Sequence, residues 1–281
     1  MTRPDQISRA AAFRDLNLAG ELLLPNAWDA VSARIFETAG FPAIGTTSAG
    51  IAYARGFRDA ERIGRDAMAR EIATIAAAVT APVTADIESG YGPSPNDVAQ
   101  TIEAVIDADA VGVNLEDAFH GAGGEPLFGV DEQAERIAAA RATAERRGVP
   151  LVINARTDTF ILNLGEDLEE RLAMTIARGR AYLDAGADLI FIPMLIDPAV
   201  VRRAADGIGG AISLMAVPEA PPAAELFAAG ASRVSLGPIA MLAAMETLRI
   251  VAEEVRDSGA WGVFERGVYG FREAEALFAE R

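Results

Sequence analysis

The chain has 281 residues and a formal net charge of −16, and its length suits a single α/β barrel. The acidic balance argues against nucleic acid or an anionic membrane as a partner, because both bind clustered positive charge. The sequence contains no Cys and no Lys, and its one histidine is His120. These absences exclude thiolate nucleophiles, Cys-ligated metals and Schiff-base chemistry, which leaves carboxylates, hydroxyls, arginine and a metal for catalysis.

Short β-branched runs alternate along the chain with longer segments of helical period, which predicts eight βα units around a parallel sheet. The predicted strands are 21–25, 43–48, 82–88, 111–116, 150–156, 189–194, 211–217 and 232–236. The predicted helices are 29–39, 61–79, 95–108, 131–147, 166–185, 198–206, 220–229 and 238–257. The expected fold class is α/β, with a (β/α)8 barrel over residues 1–257 and a C-terminal helical tail over residues 258–281.

The sequence carries no sign of export or membrane insertion. No apolar run approaches the roughly 18 residues that a membrane span needs. The N-terminal segment is polar and amphipathic and has no apolar stretch of the kind found in secretory signals. We therefore expect a soluble protein of the cytoplasm.

Carboxylates stand where the third and fourth predicted strands end, which is where a barrel places its catalytic groups. Asp86 and Glu88 end the third strand, and the alternation of side chains along a strand predicts that both point to the same side. Glu116 ends the fourth strand, and three neighbouring carboxylates repel one another unless a cation lies among them. Mg²⁺ fits such a set of oxygen ligands, whereas the alternative is that acidic residues after a strand cap the next helix.

Further polar residues end the second and fifth predicted strands. Arg156 stands among apolar residues of the fifth strand, near Asn154, and needs either structural carboxylates such as Asp158 or an anionic ligand as its partner. The second strand ends in the small residues 47–49, whose backbone N–H groups either approach an anion or form a plain turn. Asp59, on the long loop that follows, is a surface acid or reaches over the barrel mouth.

The C-terminal tail is rich in aromatic residues. It contains Trp261, Phe264, Tyr269, Phe271 and Phe278, which is more aromatic surface than a chain leaves in water. The tail is therefore expected to pack either on its own barrel or on a neighbouring subunit.

Seven segments in order along the chain carry a resemblance to a known superfamily. They are PNAWDAVSARIFETAGFPAI, TTSAGIAYARGFRD, ADIESGYG, VNLEDAF, NARTDTF, GADLIFIP and ASRVSLGP. Together they resemble the isocitrate lyase/phosphoenolpyruvate mutase superfamily, in particular its carboxyvinyl-carboxyphosphonate phosphorylmutase-like and oxaloacetate decarboxylase-like branch. The resemblance covers nearly the whole barrel.

The resemblance implies a role for each candidate site residue. Its metal ligands are Asp86, Glu88 and Glu116, which would hold Mg²⁺, or alternatively Mn²⁺, partly through water. Its substrate-binding residues are Thr47, Ser48, Ala49, Asn154 and Arg156, with Arg156 on the substrate carboxylate and residues 47–49 as a backbone cradle for the other end. Asp59 matches an acid that assists catalysis.

The same resemblance implies the reaction class. We expect Mg²⁺-dependent cleavage of a C–C bond in a small 2-oxo or 2-hydroxy (di)carboxylic acid, through a pyruvate-type enolate stabilised by the metal. The alternatives are P–C bond chemistry on phosphonopyruvate or phosphoenolpyruvate, and a non-catalytic protein that binds the same anionic ligand. The superfamily also suggests a homo-oligomer, either a dimer or a tetramer built by exchange of the C-terminal helix.

The sequence departs from its relatives in the loop after the fourth strand. Isocitrate and methylisocitrate lyases carry a Lys-Lys/Arg-Cys-Gly-His loop there, whereas residues 117–125 of this chain read DAFHGAGGE. Without Cys or Lys, ordinary isocitrate lyase and Lys-dependent mutase activities are not expected. His120 is then either a proton donor or an exposed residue without a role, and the proton otherwise comes from Asp59 or water. A second departure is Ser213, where relatives often carry Asn.

Overall fold

The computed structural model describes residues 4–120 and 126–279 and contains one parallel sheet. Its strands follow the order β1-β9-β8-β7-β6-β5-β4-β3-β2 across the sheet. The strands are β1 (Leu22–Leu24), β2 (Asn26–Ala27), β3 (Ile44–Thr46), β4 (Val83–Asp86), β5 (Gly112–Glu116), β6 (Val152–Arg156), β7 (Leu189–Ile192), β8 (Ile212–Met215) and β9 (Ala231–Ser235).

The sheet closes on itself at Pro25. This residue separates β1, which pairs with β9, from β2, which pairs with β3. Proline has no N–H to give to a strand ladder, but its carbonyl accepts a hydrogen bond from the Gly45 N–H at 2.8 Å. β1 and β2 are therefore two halves of one barrel strand, and the predicted (β/α)8 barrel is confirmed.

Helices surround the sheet and account for most of the remaining chain. They are α1 (Pro4–Ala19), α2 (Ala30–Thr38), α3 (Ser48–Ala54), α4 (Arg65–Ala78), α5 (Pro95–Asp107), α6 (Val130–Arg147), α7 (Leu168–Asp184), α8 (Pro198–Ile208), α9 (Ala223–Ala228), α10 (Ile239–Ser258) and α11 (Phe271–Ala276), with a 3₁₀ helix at Gly262–Arg266. No helix in residues 4–120 and 126–279 is both long enough and apolar enough to cross a bilayer.

Three segments differ from the sequence prediction. The helix predicted to begin at residue 61 begins at Arg65, because Ala60, Glu61 and Gly64 all adopt positive φ values that no right-handed helix contains. Helix α3 occupies the start of a stretch predicted to be a loop, and helix α1 was not predicted at all.

Helix α1 covers the end of the barrel at which the strands begin. The Gln6 amide donates to the carbonyls of Ile106 and Ala110, which lie just before β5. Phe13 is fully buried, and one of its ring carbons lies 2.8 Å from the position that a Cβ on Gly112 would occupy. Only glycine at position 112 leaves room for this ring. The packing of α1 on the barrel therefore requires that β5 begin with glycine.

The C-terminal segment contacts its own barrel through a few residues and leaves most of its aromatic surface open. Leu277 is buried, and its carbonyl accepts a hydrogen bond from Arg34 Nε at 2.6 Å. In contrast, Trp261 is 65% exposed and Phe271 is 81% exposed. Helix α10 also contains no buried residue. Within the single chain, therefore, only part of the C-terminal tail packs against the barrel.

Candidate active site

A cavity of about 130 Å³ opens at the carboxyl ends of the strands. Its polar lining combines backbone groups at the start of α3 with ionisable and amide side chains, namely Thr47, Ser48, Asp59, Asp86, Asn114 and Arg156. Ala49 also lines it, and its apolar wall is formed by Ile161, Phe191, Pro193 and Met215. The structure thus brings six of the predicted site residues to one cavity, whereas Glu88 and Glu116 lie in the adjoining carboxylate cluster.

Asp86 is held by the beginning of helix α3. Thr47 is the N-cap of this helix, and its Oγ1 accepts from the Gly50 N–H at 3.3 Å. The Ser48 N–H and Ser48 hydroxyl both donate to Asp86 Oδ2, at 3.0 and 2.8 Å. The predicted backbone cradle is therefore a helix N-terminus, and in this structure it already holds a carboxylate.

Glu88 is positioned by a loop rather than by a strand. β4 ends at Asp86 and Glu88 has a φ of 52°, so the prediction that strand alternation orients both side chains was wrong for Glu88. Its carboxylate accepts from the Tyr91 hydroxyl at 2.9 Å and from the Glu61 N–H. Burial, together with the charges of Asp59 and Asp86, raises the pKa of Glu88 to about 8 despite these hydrogen bonds.

Arg156 joins the ends of β5 and β6 electrostatically. Its NH1 lies 2.6 Å from Glu116 Oε2, while Nε and NH2 donate to the two oxygens of Asp158 at 2.6 and 2.9 Å. Burial opposes the charge of Arg156, but Glu116 and Asp158 outweigh it and raise its pKa above the ordinary value. Structural carboxylates are thus the partners of Arg156 in this structure, and its side chain also lines the cavity.

His120 contacts the same carboxylate cluster from the loop after β5. Its Nε2 lies 3.0 Å from Glu116 Oε1, and this hydrogen bond raises the pKa of His120. Burial raises the pKa of Glu116, although Arg156 opposes that shift. Residues 121–125 of this loop lie outside the described residues, and His120 does not line the described cavity.

Asp59 reaches the cavity from a strained loop. Ala60 and Glu61, which follow it, have φ values of 72° and 60°, a left-handed conformation that costs roughly 1–3 kcal/mol for each residue of this kind. The Glu61 carboxylate secures the loop by accepting from the Ser89 hydroxyl at 2.7 Å and the Tyr91 N–H at 2.6 Å. Loss of hydration and the charge of Asp86 raise the pKa of Asp59, although the residue as a whole is exposed.

One predicted substrate contact lies below the cavity. Asn154 is fully buried, and its amide donates to Asn114 Oδ1 at 2.8 Å. Asn114, which was not predicted, lines the cavity instead. Ser213 is also fully buried, where its hydroxyl accepts from Arg233 Nε at 3.0 Å. Two features of the sequence could have revealed this layer. Asn114 and Asn154 stand at matching positions of neighbouring strands, and Arg233 lies within the mostly apolar strand β9.

Arg136 fixes the loop that follows β4. This α6 residue is fully buried beneath the loop. Its NH1 donates to the carbonyls of Gly92 at 2.8 Å and Pro93 at 2.5 Å, and its NH2 donates to the Ser89 carbonyl. The guanidinium also lies 4.0 Å from the centre of the Phe128 ring. A single side chain thus satisfies three carbonyls next to Glu88.

The carboxylates fit a hard divalent ion by their chemistry. The set offers only oxygen donors, and the charge of Asp86 raises the pKa of both Glu88 and Glu116, so a cation would relieve the repulsion. Within residues 4–120 and 126–279, no three acidic or histidine side chains are gathered closely enough to hold one ion directly.

The chain is similar to known proteins along most of its length. Residues 13–256 match the phosphoenolpyruvate phosphomutase family. The chain is 33% identical over 247 residues to an uncharacterised protein of Mycobacterium tuberculosis, covering 88% of this chain and 89% of that protein. It is 29% identical over 207 residues to the 2-methylisocitrate lyase of Salmonella typhimurium, covering 72% and 66% of the two chains.

Two solved structures share the fold along nearly the whole chain. A candidate lyase/mutase of Burkholderia cenocepacia is 36% identical, with a TM-score of 0.90, and the match covers 99% of this chain and 98% of that one. Oxaloacetate acetylhydrolase in complex with its product oxalate is 26% identical, with a TM-score of 0.84 and coverage of 96% and 94%. Both matches therefore extend beyond the barrel core.

We predict that Arg136→Met destabilises the loop after β4. Methionine occupies a similar space but donates no hydrogen bond, and each buried carbonyl left without a donor costs about 1–3 kcal/mol. Urea unfolding measures the loss in the free energy of unfolding. Arg146→Met, an exposed position on the same helix, is the matched control and should change it little. Equal effects of the two substitutions would contradict the role of Arg136.

Proposed function

The chain belongs to the isocitrate lyase/phosphoenolpyruvate mutase superfamily of enzymes, and from this premise we propose that it is a Mg²⁺-dependent lyase that cleaves a C–C bond in a small 2-oxo or 2-hydroxy acid. The observation that carries the proposal is one arginine facing carboxylates around a cavity of about 130 Å³. Liquid water takes about 30 Å³ per molecule, so the space suits an acid of a few carbons.

The metal would be held by the carboxylate cluster. Asp86, Glu88 and Glu116 are the residues that we propose for Mg²⁺, or Mn²⁺, with water completing the set. When bound, the ion would offset negative charge that develops on the substrate's 2-oxygen. Arg156 then has an acid group of the substrate as an additional partner, and we propose the backbone of residues 47–49 for its other end.

In this proposal Asp59 is the residue that donates and accepts the proton. Asp59 lines the cavity, and its raised pKa increases the protonated fraction that is available to donate. His120, in contrast, contacts Glu116 and lies outside the cavity lining. We therefore propose that Asp59 exchanges the proton with the enolate carbon and that His120 supports Glu116.

The lining also supports a limit on the size of the substrate. Arg156 is the one cationic side chain among the residues that line the described cavity, and the cavity also has an apolar wall. Ile161, Phe191 and Met215 form that wall and offer no partner for a further carboxylate. Oxaloacetate or a malate with short alkyl substituents suits this arrangement, whereas a tricarboxylate would leave one charged group unpaired.

We also propose that the protein is a homo-oligomer that buries α10 and the aromatic tail. Leu242, Met245 and Leu248 lie three residues apart on one face of α10 and are 42%, 44% and 68% exposed. Trp261 and Phe271, in the segment that follows the helix, are also exposed. A second copy of the chain is the occupant that the superfamily resemblance supports.

The first test is turnover with and without the metal ligands. Wild-type protein with Mg²⁺ should release pyruvate or another 2-oxo acid from a panel of oxaloacetate and substituted malates, and EDTA should abolish the release. Asp86→Asn should lower kcat/KM by roughly 100- to 1000-fold, the usual loss for one group that stabilises developing charge. Asp206→Asn, at an exposed position of α8, is the control.

Two other outcomes would overturn the lyase proposal. Conversion of phosphonopyruvate or phosphoenolpyruvate, followed by phosphorus NMR, would indicate P–C bond chemistry. Stabilisation of the folded protein by these acids without turnover of any of them would indicate a binding protein.

The second test separates the two groups that could move the proton. Asp59→Asn should lower kcat by about 100- to 10,000-fold, because general acid–base catalysis contributes that much. His120→Asn should have a smaller effect, which would appear mainly in the apparent affinity for Mg²⁺. The reverse order of effects, measured by steady-state kinetics on the same substrate, would assign the proton to His120.

The third test concerns the oligomer. Leu248→Glu should lower the mass measured by light scattering after size-exclusion chromatography, because it buries a charge in the proposed interface. Leu18→Glu, at an equally open position of α1 with 67% exposure, should leave the mass unchanged. A monomeric wild-type protein would contradict this proposal.

A further inference from the structure

A buried arginine lies inside the barrel beneath the cavity. Arg233 is 1% exposed, and its guanidinium donates to Ser213 Oγ at 3.0 Å, Asn114 Oδ1 at 2.9 Å and Asn17 Oδ1 at 3.5 Å. Burial lowers the pKa of Arg233 to about 9, which still leaves it protonated at neutral pH. Its partners among the described residues are neutral side chains, in contrast to the carboxylates around Arg156.

This arginine determines which way the Asn114 amide faces. A guanidinium can only donate, so the atom of Asn114 that faces Arg233 must be the side-chain oxygen. The Asn154 amide donates to the same oxygen at 2.8 Å. Both acceptor positions of Asn114 Oδ1 are therefore used by buried donors from below the cavity.

The orientation leaves the Asn114 amide nitrogen for the cavity. Asn114 lines the cavity and keeps 9% of its surface exposed, and no described residue accepts a hydrogen bond from its Nδ2. In the strand register it lies beside Asp86, and it precedes Glu116 by two residues on β5. The Asn114 N–H donor thus lies between two proposed metal ligands. An acid chelated to the metal would place its oxygens at this position.

We infer that Asn114 is a substrate-binding residue whose side-chain N–H donates to an anionic oxygen of the bound acid, and that Arg233 is the positioning residue that fixes its amide. The inference rests on the proposed function and adds a contact that the superfamily resemblance did not assign. It also accounts for the buried cation, since a neutral side chain at position 233 would leave the Asn154 amide as the one described donor that holds Asn114 Oδ1 away from the cavity.

The inference is tested by binding of oxalate, a mimic of the enolate, in the presence of Mg²⁺ by calorimetry. Asn114→Ala should weaken binding by about 10- to 100-fold, because a hydrogen bond to a charged group contributes that much. Asn114→Asp should weaken binding further, since its carboxylate would pair with Arg233 and present oxygen to the anion. In turnover assays, KM should rise more than kcat falls.

The positioning role of Arg233 is tested by a measurement that would not change if Arg233 only stabilised the fold. Arg233→Met should weaken oxalate binding, whereas Arg233→Lys, which also only donates, should restore part of it. Thr84→Val is the matched control, because Thr84 is a buried polar residue of the same barrel interior whose hydroxyl has no hydrogen-bond partner among the described residues. Thermal melting of each variant confirms that binding is measured on folded protein.

The outcomes separate this inference from the function on which it rests. If wild-type protein with Mg²⁺ binds no oxalate, the proposed function fails and this inference fails with it. If wild-type protein binds oxalate and both Asn114 variants bind it equally tightly, the inference alone is overturned. If Arg233→Met binds as tightly as wild type while the Asn114 variants do not, Asn114 is a contact and Arg233 does not position it.

Discussion

Repulsion among carboxylates at the mouth of the barrel is the constraint on which the rest of the site depends. At an effective dielectric constant of about 20, two unit charges about 4 Å apart interact by roughly 4 kcal/mol. The structure keeps these groups together by giving each its own donors. Ser48 holds Asp86, while Tyr91 and the Glu61 N–H hold Glu88. Burial, and after it the charges of Asp59 and Asp86, raise the pKa of Glu88, so these donors offset burial and repulsion only in part.

Arginine supplies the buried positive charge in this lysine-free chain, and three arginines do so in different ways. Arg156 pairs with carboxylates, Arg136 donates to backbone carbonyls of the loop after β4, and Arg233 donates to neutral side chains. A planar guanidinium has five donors and stays charged when buried, so it can hold several acceptors in fixed directions at once. Each of the three connects the active-site layer to a different part of the barrel.

The active site is assembled from loops and helix ends that the barrel brings together. The strained loop with Asp59 is secured by Glu61 to the loop after β4, and that loop is secured by Arg136 to α6. Strain at a functional loop persists only when its surroundings determine the conformation, and these hydrogen bonds do so here. The small cavity and its apolar wall then limit the size of the ligand that we propose for this site.

The sequence by itself determined the barrel and most of its cavity residues. Apolar strands at regular spacing can bury their side chains only in a parallel sheet covered by helices, and the ends of such strands meet at one mouth. Asp59, Asp86 and Arg156 were therefore found from strand ends and from the resemblance. Helix α1 was missed because its packing surface exists only once the barrel has closed over Phe13.

Tertiary structure alone decided the layer beneath the cavity and the setting of Glu88. Strand alternation holds only as far as the strand, and β4 ends two residues before Glu88. Asn114 and Asn154 are adjacent in register, yet only Asn114 reaches the cavity, because depth in a barrel depends on the stagger of all its strands. The partners of Arg233 come from α1, β5 and β8, and no local pattern in the sequence connects them.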